Sequence, residues 1–317
     1  MDLILSERPE SIGLDYRHIS IRAQLDLGLR SLEIDVLYDP DGARFANPKG
    51  LEMVRAQGSE PDPYNTEPMN APGFKVLHVP DIDFRSHCAT FKACLSDIRE
   101  WSISHKDHLP IIITINPKSS GPKRPGFATV IPVDRKVFDA LDSEILEIFD
   151  ADHLILPKNV KGKHQTLRNA VVSNGWPSLI QTRGKVLFVL DAGKELIDLY
   201  LEDDDQYERP LFSNTDENNP HAAFFIMNDP IAQEKDIADR VKQGFMVRTR
   251  SDADTREARV GNKLRFEAAI RSGAQVISTD YYLKSLSPNK DFEISFDGEY
   301  SQCNPVLVGS SSACDVD

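Results

Sequence analysis

Pro110-Ile111-Ile112-Ile113-Thr114-Ile115-Asn116-Pro117-Lys118 is the stretch that sets the fold. Its apolar run is unbroken rather than alternating. A strand of that composition is covered on both faces, as in parallel sheets with helices packed outside. Gly184-Lys185-Val186-Leu187-Phe188-Val189-Leu190-Asp191 repeats the pattern. Apolar stripes at helical spacing flank them: Leu95, Ile98 and Trp101 within 88–105, and Val137, Leu141, Ile145 and Phe149 within 134–149.

Working outward, strands are expected near residues 32, 75, 223, 246 and 275. Helices are expected over 19–29, 165–173, 231–242 and 255–272, the last stopped by Gly273. A long Pro-, Gly-, Asn- and Asp-rich loop spans about 39–73 and reads as functional or as a lid. Strand–helix alternation means βα units and a parallel sheet. Polar residues gather at the C-terminal strand ends: Asp35, His78, Asn116 with Lys118, Asp191, Asn228, Arg248 with Arg250, and Asp280. A (β/α)8 barrel builds its site at that face, whereas an open doubly wound sheet uses one crevice. No glycine-rich phosphate loop follows any strand, so the expectation is an α/β fold of the TIM-like barrel type. The barrel is expected over residues 1–286, with an irregular tail over 287–317.

The 317 residues are 40% hydrophobic and 27% charged, enough for a sizeable core. A net charge of −13 argues against nucleic acid, and against charge-driven docking on an anionic membrane without a cation or local basic patch. No apolar run is long enough to span a bilayer. Met1-Asp2-Leu3-Ile4-Leu5-Ser6-Glu7 is too short and acidic for a signal peptide. The four cysteines fall in two close pairs without metal-binding spacing. They form two local disulfides, 88–94 and 303–314, in an oxidising compartment, or four thiols in a reducing one.

Leu32-Glu33-Ile34-Asp35-Val36 alternates with the period of a strand, which puts Glu33 and Asp35 on one face. Two adjacent carboxylates need a positive partner to be buried, either arginines or a metal ion. Asp, Glu and Asn at strand tips are hard oxygen donors, suited to Ca2+ or Mg2+. His78 is the one histidine at a strand tip and is suited to acid–base work near neutral pH. Lys118, Arg248 and Arg250 would face an anion such as phosphate, or pair with nearby carboxylates. Tyr281 and Tyr282 are packing residues or a platform for a sugar ring. The remaining histidines, His18 among them, lie in loops or helices and carry no signal.

Together, several segments resemble the calcium-dependent phosphatidylinositol-specific phospholipase C family of bacteria and fungi. They are Leu32–Val36, Lys75-Val76-Leu77-His78 with Asp83-Phe84-Arg85-Ser86 and Cys88, Gly244–Arg250 with Asp252–Glu257, and Ser278–Tyr282. The likeness runs from about 14 to 305. It implies Ca2+-assisted attack of the inositol 2-hydroxyl on phosphorus, releasing diacylglycerol and an inositol phosphate, cyclic at first. It implies Glu33, Asp35 and Asn116 as calcium ligands, with Glu33 also a candidate base. His78 would be the general acid, Lys118 and Arg248 would face phosphate, and Tyr281 or Tyr282 would lie near the inositol. The partner would be a phosphoinositide lipid or a soluble inositol phosphodiester, met at a membrane surface or outside the cell.

Two departures from the family pattern stand out. Nothing before Leu14 matches the family's Gly-Thr-His-Asn-Ser-Tyr strand, and Asn116 stands where a glutamate ligand is usual. The first barrel strand is therefore expected to be missing, and this chain to be a weak or inactive phosphodiesterase. Other readings are a catalytically dead barrel that binds inositol phosphates or head groups, and a glycerophosphodiester phosphodiesterase.

Overall fold

The computed structural model describes residues 9–204 and 206–308. In chain order the strands are β1 (Ser31–Leu37), β2 (Lys75–Val76), β3 (Ile111–Pro117), β4 (Val186–Leu190), β5 (Leu211–Ser213), β6 (Phe224–Ile226), β7 (Met246–Arg250) and β8 (Val276–Ser278). The helices are α1 (Ile21–Asp26), α2 (Lys49–Ala56), α3 (Phe91–Ser104), α4 (Arg135–Ile148), α5 (Pro157–Lys161), α6 (Leu167–Asn174), α7 (Leu179–Thr182), α8 (Lys194–Leu201), α9 (Pro230–Lys242), α10 (Arg256–Val260), α11 (Leu264–Ser272) and α12 (Pro305–Val308).

Local chemistry starts the principal helices. The Thr90 hydroxyl accepts from Ala93 N to begin α3, and Asp134 accepts from Val137 N at 2.9 Å to begin α4. Asp229 caps α9, whose first residue is proline, a position where no amide hydrogen is needed.

β1, β3, β4 and β5 run parallel in that order, as do β6, β7 and β8. A parallel bridge, Asn214–Phe224, carries the arrangement from β5 to β6. Seven strands are thus in sequence order, with helices between all but β5 and β6, a TIM-like barrel. Among the described residues no ladder joins β8 to β1. The free edge of β1 instead carries β2, antiparallel, with Val36 opposite Val76.

The alternation along each strand sorts its side chains. Ile34, Val36, Ile113, Ile115, Phe188 and Leu190 pack in one cluster against Leu95, Ile98, Phe138, Leu141 and Ile145 from α3 and α4. Ile112, Leu187, Val189 and Phe212 turn the other way and join Phe224, Phe225 and Val247. Phe138, Leu141 and Ile145 are wholly buried. Each such side chain contributes about 1.5–3 kcal/mol through removal of apolar surface from water.

Four expectations need correction. The strand near residue 75 is a two-residue antiparallel pairing, because Pro80 and the turn from Val79 to Asp83 stop it at once. β5, too short to stand out in sequence, supplies a barrel strand between β4 and β6. The helix over 255–272 breaks at Gly261, which adopts φ +69°, into α10 and α11. The long loop contains α2 and a 3-10 turn at Glu67–Asn70. Beneath that loop Lys75 and Asp39, both fully buried, pair at 3.3 Å, and the lysine also donates to the Ala71 and Gly73 carbonyls. Cys88 and Cys94 form a disulfide. Cys314, the expected partner of Cys303, lies outside the described residues.

Candidate active site at the C-terminal mouth of the barrel

β1 places Glu33 and Asp35 on its inner face, opposite the buried Leu32, Ile34 and Val36. In the register with β3, Asp35 stands beside Asn116 and Glu33 beside Thr114. Residues paired in a parallel ladder project to the same side, so the two carboxylates and the carboxamide share one wall. Lys118, just past β3, continues that ladder by donating its amide to Val36 O, and its Nζ lies 2.9 Å from Asp35 Oδ1.

The opposite wall is β7. Arg248 is only 2% exposed, an unusually deep burial for so long and charged a side chain. Its guanidinium donates to Glu33 Oε2 and, at 3.1 Å, to Asn228 Oδ1, and stands 3.7 Å from Asp191 Oδ2. One buried cation therefore joins the ends of β1, β4, β6 and β7. Burial of so planar a group requires that its donors be met, and they are met by these strand-tip acceptors.

His78 follows β2, which the pairing with β1 holds at the rim. The backbone turns at once, Asp83 N donating to Val79 O, and this brings Asp83 Oδ2 to 2.9 Å from His78 Nδ1. That hydrogen bond pushes the His78 pKa above its ordinary value, with the charge of Asp35 adding to it and burial opposing. Asp35, Asp191 and Asp280 are all raised chiefly by burial; Asp280 is pushed up to about 7, with Asp252 and Glu33 repelling its charge. Asp252 accepts from the hydroxyls of Ser251 and Thr279 and from Asp280 N, and so ties the tip of β7 to that of β8.

A family model described as "Phosphoinositide phospholipase C, Ca2+-dependent" matches residues 1–305. The chain belongs to this family. Among solved structures it resembles a calcium-dependent phosphoinositol-specific phospholipase C from Pseudomonas sp., described as a myoinositol complex. The identity is 17%, over 82% of this chain and 83% of that one, with a TM-score of 0.55. It also resembles the calcium-dependent phosphatidylinositol-specific phospholipase C of Streptomyces antibioticus, at 17% identity over 82% and 88% of the two chains and a TM-score of 0.54. Comparison with curated proteins gives no match. At these identities the solved structures establish the fold, and the family match places the chain among the calcium-dependent phosphoinositide phospholipases C.

Within this phospholipase C-type barrel the residues singled out in sequence separate. Glu33, Asp35, Asn116, Lys118 and Arg248 share the mouth, with His78 at its rim. Tyr281 does not: it is fully buried among Ala258, Phe266, Phe292 and Ile294. Tyr282 is also buried, but its ring stacks on His18 and its hydroxyl accepts from Ile19 N. Asp252 and Asp254 do not cap α10, whose N-cap is Thr255 in the left-handed region.

Glu33, Asp35 and Asn116 fit calcium in kind, since all are oxygen donors and they lie on two register-paired strands. Burial raises Asp35 even though Lys118 is beside it. Among the described residues no three His, Cys, Asp or Glu side chains already converge on one point.

Sequence reasoning missed His18 and Tyr16. Tyr16 lies against both His18 and His78, with ring centroids 5.4 and 6.3 Å away, and the charges of Asp280, Asp83, Asp35 and Glu33 add to burial in raising its pKa. No strand or helix period marks these residues, and their neighbours at the mouth are distant in sequence.

Proposed function

We propose that this chain cleaves an inositol phosphodiester, by attack of the inositol 2-hydroxyl on phosphorus, with diacylglycerol as leaving group and an inositol phosphate, cyclic at first, as product. The observation that carries the reading is the convergence at one barrel mouth of a carboxylate pair, two cations and the His78–Asp83 pair, in a chain of this family.

His78, whose protonated form the Asp83 hydrogen bond favours, donates its proton to the departing oxygen. Lys118, with about a fifth of its side chain exposed, meets the phosphate oxygens. Arg248 acts from below, fixing Glu33 and Asp191 and lending its charge to the same region. Glu33, Asp35 and Asn116 would hold calcium, which when bound acidifies the hydroxyl and offsets phosphate charge. The ion pair with Arg248 supports a ligand role for Glu33 over proton transfer. Tyr282 meets the mouth through its stacking on His18. An extracellular setting is supported by the Cys88–Cys94 disulfide.

The test is release of inositol phosphate from phosphatidylinositol vesicles and from glycerophosphoinositol, with calcium and with chelator. Turnover should need calcium and fall by about 10²–10⁴-fold in His78→Ala. Turnover that survives this substitution would overturn the assignment. Binding of inositol phosphate without turnover would identify a head-group binder, and preference for the soluble ester a glycerophosphodiesterase.

A further inference from the structure

The long loop over 39–73 is pinned along its length rather than hung as a free flap. Arg85, in the segment after β2, donates to the carbonyls of Pro63 at 2.9 Å and Asp62 at 2.7 Å, and the Tyr64 ring meets Phe84 edge-on at 5.0 Å. Arg44 donates to Thr129 O in the loop after β3. Phe45, Ala46 and Met69 of the long loop pack with Leu37, Leu77 and Val130. Three segments at the rim therefore form one unit: the long loop, the turn after β2 and the loop after β3.

Asp81 lies where the three meet, and it is 4% exposed. Its Oδ1 accepts from Lys49 N at 2.9 Å, at the start of α2, and its Oδ2 from Ala128 N at 2.7 Å. The N-cap of α2 is Pro48, which offers no side-chain cap. Asp81 satisfies the first free amide of that helix in its place and sets a negative charge at the positive end. The Asp81 carbonyl accepts from Gly50 N at 2.8 Å. The residue adopts φ +67°, a left-handed conformation that aspartate tolerates better than most side chains. Such a conformation persists where the surroundings over-determine it, and three hydrogen bonds to other segments do so here.

The turn centred on Asp81 is closed by the bridge between Val79 and Asp83. Asp83 is the residue whose carboxylate reaches His78 Nδ1. We propose that Asp81 is a positioning residue for His78: it locks this turn between α2 and the loop after β3, and so holds Asp83 at hydrogen-bonding distance from the imidazole. The effect on rate rests on the phosphodiesterase reading, whereas the effect on His78 itself does not. The groups facing His78 are Asp83, Asp35, Lys118 and Tyr16. Both carboxylate oxygens of Asp81 are taken by backbone amides, so a change at His78 on replacing Asp81 reports geometry rather than a lost charge.

Two substitutions disturb the junction from opposite sides. Asp81→Asn keeps the left-handed conformation accessible but has one accepting oxygen, which leaves one of the two amides without a partner. Gly50→Ala leaves Asp81 in place. Its Cβ would lie 2.6 Å from Asp81 O and 2.8 Å from Phe84 Cε1, which forces α2 off the turn, although alanine suits a helix better than glycine.

The His78 ring is titrated by NMR without substrate. Then kcat and KM are measured on glycerophosphoinositol and on the 4-nitrophenyl ester of myo-inositol 1-phosphate, whose leaving group needs no proton. In both variants the His78 pKa should fall toward its ordinary value. On the glycerol ester kcat should drop by about tenfold to hundredfold with KM little changed, and the loss on the nitrophenyl ester should be smaller. Ile145→Val, a core substitution in α4, should lower Tm yet leave the His78 titration and kcat as they are. An unmoved His78 titration, an unaltered kcat, equal losses on the two esters, or the same changes in Ile145→Val would overturn the proposal. If thermal melting shows that Asp81→Asn does not fold, Gly50→Ala decides by the same readings. A shifted His78 titration in a chain whose unsubstituted form turns over neither ester would refute the phosphodiesterase reading and leave the positioning role standing.

Discussion

Replacing Arg248 by methionine should destabilise the fold and isolate the charge balance at its centre. Methionine fills much of the same space, so the loss is electrostatic rather than a cavity. Glu33 and Asp191 would then lack their shared cation, and Asn228 Oδ1 its donor. Breaking a fully buried pair by removing one partner costs about 3–5 kcal/mol. Here the carboxylate side chains are 34% and 24% exposed, so water compensates in part and we expect about 2–3 kcal/mol. For a chain of this size that is a fall in Tm of about 4–6 °C. The assay is thermal unfolding of Arg248→Met, Glu33→Gln and the double variant. The double variant should recover about 1–2 kcal/mol relative to additivity, because one stranded carboxylate is gone. A Tm shift below about 1 °C in Arg248→Met, or strict additivity, would refute the view that this ion pair holds the mouth together.

Three other outcomes follow from the same geometry. Asp83→Asn should move the alkaline limb of the rate profile to lower pH, since the hydrogen bond that raises His78 is weakened. For stability the sign is the usual one for a raised histidine: the contribution of the pair is full below the unfolded pKa and is lost as pH rises through the folded value, so wild type and Asp83→Asn should differ at pH 6 and converge at pH 9 in thermal melts. Lys118→Met should tighten calcium binding by about tenfold in calorimetry, because a like charge beside Asp35, worth about 1–2 kcal/mol, is removed; unchanged affinity would remove Asp35 from the ligand set. Cys88→Ser with Cys94→Ser should cost about 2 kcal/mol, the loop-closure entropy of so short a ring, read as the shift in denaturant midpoint.

The parallel strands with long apolar runs were legible because burial on both faces leaves a signature within seven or eight residues. β3 and β4 are the examples. β5 was not, since three residues after Pro210, in a stretch rich in charge, carry no period. Lys75-Val76 looked like a barrel strand because the apolar run continues to Val79; its antiparallel pairing with β1 depends on how residues 38–74 bring the chain back, which periodicity does not encode. At the mouth, the alternation of Glu33 with Asp35 announced a cation, but which cation was a long-range matter. The Lys118 partner is close to Asp35 only through the β1–β3 register, and the Arg248 partner of Glu33 is 215 positions away. His18 was the hardest to place, because its neighbours Tyr16, Tyr282 and Asp280 meet it only in the fold.

That separation of 215 positions bears on how the protein comes to be. A contact between residues so far apart closes a loop of most of the chain, and its entropy is offset only after the intervening strands have docked. The guanidinium of Arg248 thus arrives at Glu33 late, when β3 through β6 are already in line. A partly folded chain leaves both acidic strand tips in water, repelling each other. Completion of the barrel and creation of the reactive centre are therefore one event, and a chain that stalls before β7 is in place lacks the charge arrangement on which chemistry at the mouth depends.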